Sequence, residues 1–81
     1  MDVTPTEADI LLSLLLVGDS LPITIANASG RHPRSVSRSV PKLVDQGLVV
    51  QKDRSVYALT PIGYARARGL LDEIAESDRE I

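Results

Sequence analysis

The middle of the chain carries hydrophobic residues at the spacing of an α-helix. Over residues 33–46 the repeat is formed by Val36, Val40, Leu43 and Val44. These positions share one face when the backbone turns by about 100° per residue. His32 is the expected N-cap, Pro33 suits the first turn, and Gly47 suits the C-terminal cap. We therefore predict one amphipathic helix here.

The opposite face of this helix is basic and rich in small polar residues. It is formed by Arg34, Ser35, Arg38, Lys42 and Asp45, with Ser37 on the flank. Pro41 interrupts the helix, but the hydrophobic repeat continues in register on both sides, so we expect a kink rather than an end. Arginines and small hydroxyls opposite a packed face are typical of a helix that meets phosphates and base edges.

Two helices are predicted before the basic one. The first begins at the capping-box sequence Thr4-Pro5-Thr6-Glu7 and runs to about Val17, with Gly18 as its C-cap. Asp19-Ser20 then predicts a turn and an N-cap for a short helix over residues 21–29. The apolar side of that short helix comprises Leu21, Ile25 and Ala28. The turn Gly30-Arg31-His32 has the length that joins the helices of a helix-turn-helix.

A hairpin and a last helix follow. Residues 48–52 and 55–59 are rich in β-branched side chains and predict two strands, with the hairpin tip at Asp53-Arg54. Thr60-Pro61 repeats the start signal of the first helix and opens a last helix that reaches about Asp78. The predicted fold class is mainly α with a small β-hairpin, in a single domain over residues 1–81.

The first and last helices carry more hydrophobic surface than one small domain can bury. Residues 10–17 are apolar almost without a break, and the last helix adds a stripe that Ile81 continues if the helix persists. A chain of this size buries only roughly 60% of its unfolded surface. We therefore expect a two-fold homodimer. Its predicted interface consists of Leu11, Leu12, Leu15, Leu70, Leu71 and Ile74.

The net charge of −2 conceals an uneven distribution. Residues 1–30 contain four acidic residues and neither lysine nor arginine. Residues 31–60 contain six basic residues and two acidic ones, and residues 61–81 contain three arginines and five acids. The basic charge is concentrated in the predicted basic helix and hairpin, which favours a polyanionic partner at this part of the chain.

Composition argues against several classes of function. The chain has no cysteine and a single histidine, His32, so we predict no metal site and no cofactor. No serine lies in a pattern that supplies a general base, so we do not expect an enzyme. The apolar run at residues 10–17 is too short to span a bilayer and has no basic leader. We expect no membrane association and a cytoplasmic location.

Short motifs indicate a known family. Val36-Ser37-Arg38, followed by Leu43 and Gly47-Leu48-Val49, resembles the recognition helix and first wing strand of MarR-like repressors. The segment from Tyr57 to Gly63, Y-A-L-T-P-I-G, resembles the exit from the wing, where a Y-x-L-T-x-x-G pattern is frequent. In size the chain is most similar to short winged-helix repressors of haloarchaea and their viruses. The resemblance covers residues 5–75 and implies a winged helix-turn-helix; the sequence departs from it at Pro41 and lacks the length for further terminal helices.

The resemblance implies a sequence-specific regulator of transcription that binds double-stranded DNA, of the repressor type. Residues 33–46 would enter the major groove, and the wing at residues 48–60 would lie on the backbone or in the minor groove. The implied DNA-binding residues are Arg31, His32, Arg34, Ser35, Ser37, Arg38, Lys42, Lys52 and Arg54. The alternative is a winged helix that serves as a protein–protein interaction module. The operator, the regulated genes and any small-molecule effector stay open.

Overall fold

The computed structural model describes residues 3–79, which form four helices and a two-stranded antiparallel hairpin. In chain order the elements are α1 (Pro5–Val17), α2 (Pro22–Ser29), α3 (Pro33–Asp45), β1 (Val49–Lys52), β2 (Val56–Leu59) and α4 (Pro61–Arg79). The predicted winged helix-turn-helix order is confirmed. Every helix begins with a proline, whose fixed φ suits a first turn and whose missing N–H would have no helical partner there. The predicted continuation of the α4 stripe to Ile81 lies outside the described residues.

α1 begins and ends as predicted. The Thr4 hydroxyl accepts a hydrogen bond from the Glu7 N–H at 3.1 Å, and the Glu7 carboxylate accepts one from the Thr4 N–H at 2.8 Å. Gly18 ends the helix with a φ of 83°, and its N–H donates to the Leu14 carbonyl. The Glu7 side chain is buried, and its second oxygen accepts a hydrogen bond from the Gln46 amide at 3.5 Å. Glu7 thus joins the start of α1 to the end of α3.

The beginning of α2 differs from the prediction. The predicted role of Ser20 as N-cap is wrong, because Leu21 takes that position and makes no capping hydrogen bond with its side chain. Ser20 instead pairs with Tyr57 through two backbone hydrogen bonds of 2.9 and 2.8 Å, as an isolated antiparallel bridge. It therefore adds one residue to the free edge of β2 and ties the α1–α2 loop to the hairpin.

The apolar side of α2 also differs from the prediction. Leu21 and Ala28 are exposed, whereas Ile25 and Ala26 are buried. A helix of eight residues has only about two turns that can pack against the core. In α2 the adjacent residues Ile25 and Ala26 make this contact. The sequence could not identify this pair, because nearly every position of α2 is apolar or small.

The packed face of α3 is close to the predicted one. Val36, Val40 and Leu43 are buried. Val44 was predicted on the same face, but 38% of it is exposed, so it lies at the edge of the contact. Pro41 is inside the helix and exposed, as expected. The proline ring therefore faces away from the core.

The end of α3 is fixed by a Schellman motif. Gln46 is the C-cap, one residue earlier than the predicted cap at Gly47, and Gly47 follows it with a φ of 75°. The Gly47 N–H donates to the Val44 carbonyl and the Leu48 N–H to the Leu43 carbonyl, both at 3.0 Å. Gly47 is favoured here because side chains with a Cβ rarely adopt this positive φ.

The hairpin joins α3 to α4 through a close backbone contact. The strand register runs from Val49 opposite Leu59 to Lys52 opposite Val56. Thr60 caps α4, since its hydroxyl accepts from the Gly63 N–H at 3.0 Å and donates to the Gly47 carbonyl at 2.6 Å. A Cβ at Gly63 would lie 1.8 Å from the Leu48 carbonyl oxygen. Only glycine fits at that point of the helix.

All the helices and both strands contribute to one core. Its buried members are Ile10, Leu11, Leu14, Ile25, Ala26, Val36, Val40, Leu43, Leu48, Val49, Ala58 and Ala67. The half-buried Tyr57 packs against this core, whereas Tyr64 is exposed. α4 packs chiefly on α1, and residues 72–77 are exposed. Within residues 3–79, no helix has both the length and the hydropathy needed to cross a bilayer.

Candidate nucleic-acid interface

The outward face of α3 presents unpaired basic side chains. Arg34, Ser37, Arg38 and Lys42 are exposed, whereas Ser35 is half-buried. Among the side chains described for residues 3–77, those of Arg34, Arg38 and Lys42 form neither a hydrogen bond nor an ion pair. Their donors are free for an external acceptor. Ser37, expected on the flank, is the more accessible of the two serines beside the arginines.

His32 caps the start of α3. Its Nδ1 accepts a hydrogen bond from the Arg34 N–H at 3.1 Å. A ring nitrogen that accepts carries no proton, so the neutral imidazole holds its proton on Nε2. Since His32 is exposed, this N–H can still donate to an external oxygen. The side chain therefore fixes the first turn of the helix and retains one donor at its edge.

Arg31 lies in the turn before α3 and is paired inside the chain. Its Nε and one terminal nitrogen each lie 2.8 Å from Oδ2 of Asp9 on α1. The Arg31 and Asp9 side chains are 36% and 40% exposed. The Arg31 N–H also donates to the Ser29 hydroxyl at 3.2 Å. The structure thus holds both the backbone and the guanidinium of Arg31.

The hairpin supplies the other two predicted basic residues. Lys52, at the end of β1, lies 3.1 Å from Oδ2 of Asp19 in the α1–α2 loop, and both side chains are at least half exposed. Asp53 has a φ of 49°, and the three residues 53–55 separate the paired strand ends. The Arg54 carbonyl accepts a hydrogen bond from the Gln51 side-chain amide, and the Arg54 side chain is exposed. The turn is one residue longer than predicted.

The predicted basic residues form two groups, which differ in whether the side chain has an ion-pair partner in the described chain. Arg34, Arg38, Lys42 and Arg54 carry charges without a partner in the described chain, whereas Arg31 and Lys52 are neutralised locally. Such an arrangement can bind anionic oxygens along one helix and at a neighbouring hairpin. Sequence reasoning missed the roles of Asp9 and Asp19. Their partners are 22 and 33 residues away, so no local pattern indicates them.

The predicted dimer residues differ in accessibility. Leu11 is fully buried in the core of the single chain, so it has no surface to offer a second one. Leu12, Leu15, Leu70 and Leu71 are partly exposed. Ile74 is 48% exposed. Two residues outside the predicted set, Leu16 and Val17 at the end of α1, are 75% and 50% exposed.

Comparison with known proteins identifies the fold. No family model and no curated protein matches the sequence. Among solved structures, the chain is similar to a Listeria innocua protein of unknown function, with a TM-score of 0.89 and 25% identity over 98% of this chain. It is also similar to a MarR-family transcriptional regulator from Silicibacter pomeroyi (TM-score 0.86, 20% identity, 96% of this chain). A MarR-family regulator from Neisseria meningitidis gives a TM-score of 0.77 at 25% identity over 96% of this chain.

The chain spans 58–60% of the length of these three proteins. All three come from bacteria, so the similarity to haloarchaeal and viral repressors stays a prediction. The matched region contains α1 to α4 and the hairpin in the observed order. The chain therefore has the winged helix-turn-helix fold of MarR-family transcription regulators.

Proposed function

We propose that this chain is a sequence-specific regulator of transcription that binds double-stranded DNA and acts as a repressor. The observation that carries this proposal is the outward face of α3. Arg34, Arg38 and Lys42 are exposed and unpaired, and the opposite side of α3 packs into the core through Val36, Val40 and Leu43. Like charges on one face repel one another, and a polyanion relieves that repulsion.

In this proposal α3 enters the major groove with its N-terminal turns closest to the bases. Arg34 and Arg38 read guanine, because a guanidinium donates two hydrogen bonds to O6 and N7 of that base. Ser37 is exposed enough to approach a phosphate or a base edge. His32 Nε2, Lys52 and Arg54 contact the backbone or the minor groove, where they position the protein without specifying sequence.

Selection of bound duplexes from a random DNA pool tests this function. We expect a recurrent sequence motif that contains guanine at the positions read by Arg34 and Arg38. The same selection with the Arg34→Ala protein should return a motif that is degenerate at one of those positions. A pool that stays random after repeated selection, while DNA is still bound, would contradict sequence-specific recognition.

We also propose that the protein acts as a two-fold homodimer through α1 and α4. The proposal rests on the partly exposed Leu12, Leu15, Leu70 and Leu71, together with Ile74. A dimer would present two copies of α3 about 34–36 Å apart, and a palindromic operator is expected. Light scattering at micromolar concentration should report twice the monomer mass; a monomer would contradict the proposal.

A protein–protein interaction module is the second candidate. The observation that favours it is the exposure of Leu16 and Val17, which a partner chain could cover. The arginines of α3 would then contact an acidic protein surface. This candidate predicts no binding to DNA even at low salt, whereas the DNA-binding proposal predicts binding there.

A further inference from the structure

Two acids from the N-terminal third of the chain hold the basic residues that flank α3. Asp9 Oδ2 accepts a hydrogen bond from the Arg31 Nε–H and lies 2.8 Å from one terminal nitrogen of the same guanidinium. Asp19 binds the Lys52 ammonium at 3.1 Å. Among the side chains described for residues 3–77, Arg31 and Lys52 are the only members of the proposed DNA-binding set that form an ion pair.

The backbone at both places is fixed without these ion pairs. Arg31 is held by the hydrogen bond from its N–H to Ser29. The loop that carries Asp19 is held by the double hydrogen bond between Ser20 and Tyr57. The Ser20 hydroxyl adds a bond to the Gly18 carbonyl at 2.7 Å. Breaking either ion pair should therefore free a side chain without displacing its element.

We propose that Asp9 and Asp19 compete with DNA phosphates for Arg31 and Lys52. A carboxylate and a phosphate present similar anionic oxygens to a guanidinium or an ammonium group. In the free protein the carboxylates occupy these two cations, and DNA must displace them to complete its backbone contacts. The proposal rests on the DNA-binding function proposed above and adds that the protein limits its own affinity.

Neutral variants of the two acids test the competition. Asp9→Asn and Asp19→Asn keep the side-chain shape and remove the charge. Because an exposed ion pair is weak, each change should tighten binding to a nonspecific duplex by about 1.5-fold to 5-fold at low salt. The gain from Asp9→Asn should disappear in the Arg31→Gln background, and that from Asp19→Asn in the Lys52→Gln background. Asp72→Asn is the matched control, since Asp72 pairs with Arg68 on α4, 3.9 Å away; it should leave the affinity unchanged.

The other outcomes overturn the proposal in distinguishable ways. An equal gain with and without Arg31 would mean general repulsion between the acid and DNA rather than competition. Weaker binding would mean that the ion pairs hold the interface in shape, and unchanged binding would mean that they do not affect it. If the unmodified protein fails to bind any duplex at low salt, the proposed DNA-binding function is wrong, and the proposed competition is then wrong as well.

Discussion

α1 and α3 are helices of equal length that pack into the same core and present opposite chemistry to the outside. Each has 13 residues and begins with proline. Each contributes three buried aliphatic side chains to the core; they are Ile10, Leu11 and Leu14 in α1, and Val36, Val40 and Leu43 in α3. The outside of α1 ends in Leu16 and Val17, whereas the outside of α3 carries arginines and a lysine.

The comparison shows that the residues that pack a helix into the core differ from those that determine the chemistry of its exposed side. Three buried aliphatic residues are sufficient to seat a helix of this length in the core, so the remaining positions are available for other purposes. Exposed leucine and valine favour another apolar surface. Clustered exposed cations favour a polyanion. The described residues thus present two exposed surfaces of different chemistry, one apolar and one basic.

The largest effect on DNA affinity is expected from placing a charge in the proposed dimer contact of α1 and α4. Leu71→Asp places a carboxylate in the proposed α4 contact, and it should convert a dimer into a less stable monomer. A monomer contacts one half-site, so its affinity for a palindromic duplex should fall about 100-fold or more. Light scattering and a DNA titration of the same sample measure both effects.

Ile62→Asp is the control for that change. Ile62 is an exposed aliphatic residue in the first turn of α4, outside the proposed contact. The Ile62→Asp substitution should leave the mass of the dimer the same as that of the unmodified protein. Loss of the dimer in both variants would indicate a general effect on α4, and a dimeric Leu71→Asp protein would remove α4 from the interface.

The next largest effect is expected on the basic face. Arg34→Ala should cost about 1–3 kcal/mol of binding free energy on the best site and relax the preference at one base pair. Arg68→Ala, on the exposed surface of α4, should have no such effect. If Arg34→Ala weakens binding equally on every sequence, Arg34 contacts phosphate only.

A smaller effect is expected from the hairpin. Replacing Lys52 and Arg54 together by alanine removes two proposed phosphate contacts per protomer. The plot of the logarithm of the binding constant against the logarithm of the salt concentration should become flatter by about 2 units, since each contact contributes about 0.9. An unchanged slope would place the hairpin away from the DNA.

The smallest effect on DNA binding is expected at Pro41. The proline removes the helical hydrogen bond to the Ser37 carbonyl, and Pro41→Ala should restore it and raise the melting temperature, with a gain of at most about 3 kcal/mol. If Pro41 bends α3 as the sequence predicts, straightening the helix would bring Lys42 and Asp45 toward the groove floor, and we expect modestly weaker binding. A stabilised variant with unchanged affinity would show that Pro41 has no part in recognition.

Elements whose signals are local could be predicted from the sequence. Three of the four predicted helix starts contain a residue that caps and a proline that follows, at Thr4-Pro5, His32-Pro33 and Thr60-Pro61. The α3 face repeats with the helical period, and Gly47 marks its end because of its positive φ. Each of these signals depends on residues within four positions of one another, so it can be recognised in the sequence without knowledge of the fold.

Features set by distant contacts could not be predicted. Ser20 looks like a helix cap until β2 provides Tyr57 as a backbone partner. Leu11 and Leu16 are both leucines of one helix, and only the packing of the other elements decides that one is buried and the other exposed. The same holds for the acids that pair with Arg31 and Lys52.

Binding to a nonspecific duplex at two salt concentrations tests the central claim most directly. If the outward face of α3 and the hairpin meet phosphates, a gel shift at low salt should show a complex, and raising the salt should weaken it steeply. Arg34→Ala and Arg38→Ala combined should weaken the complex further. Absence of any complex at low salt would contradict the account and favour the interaction module.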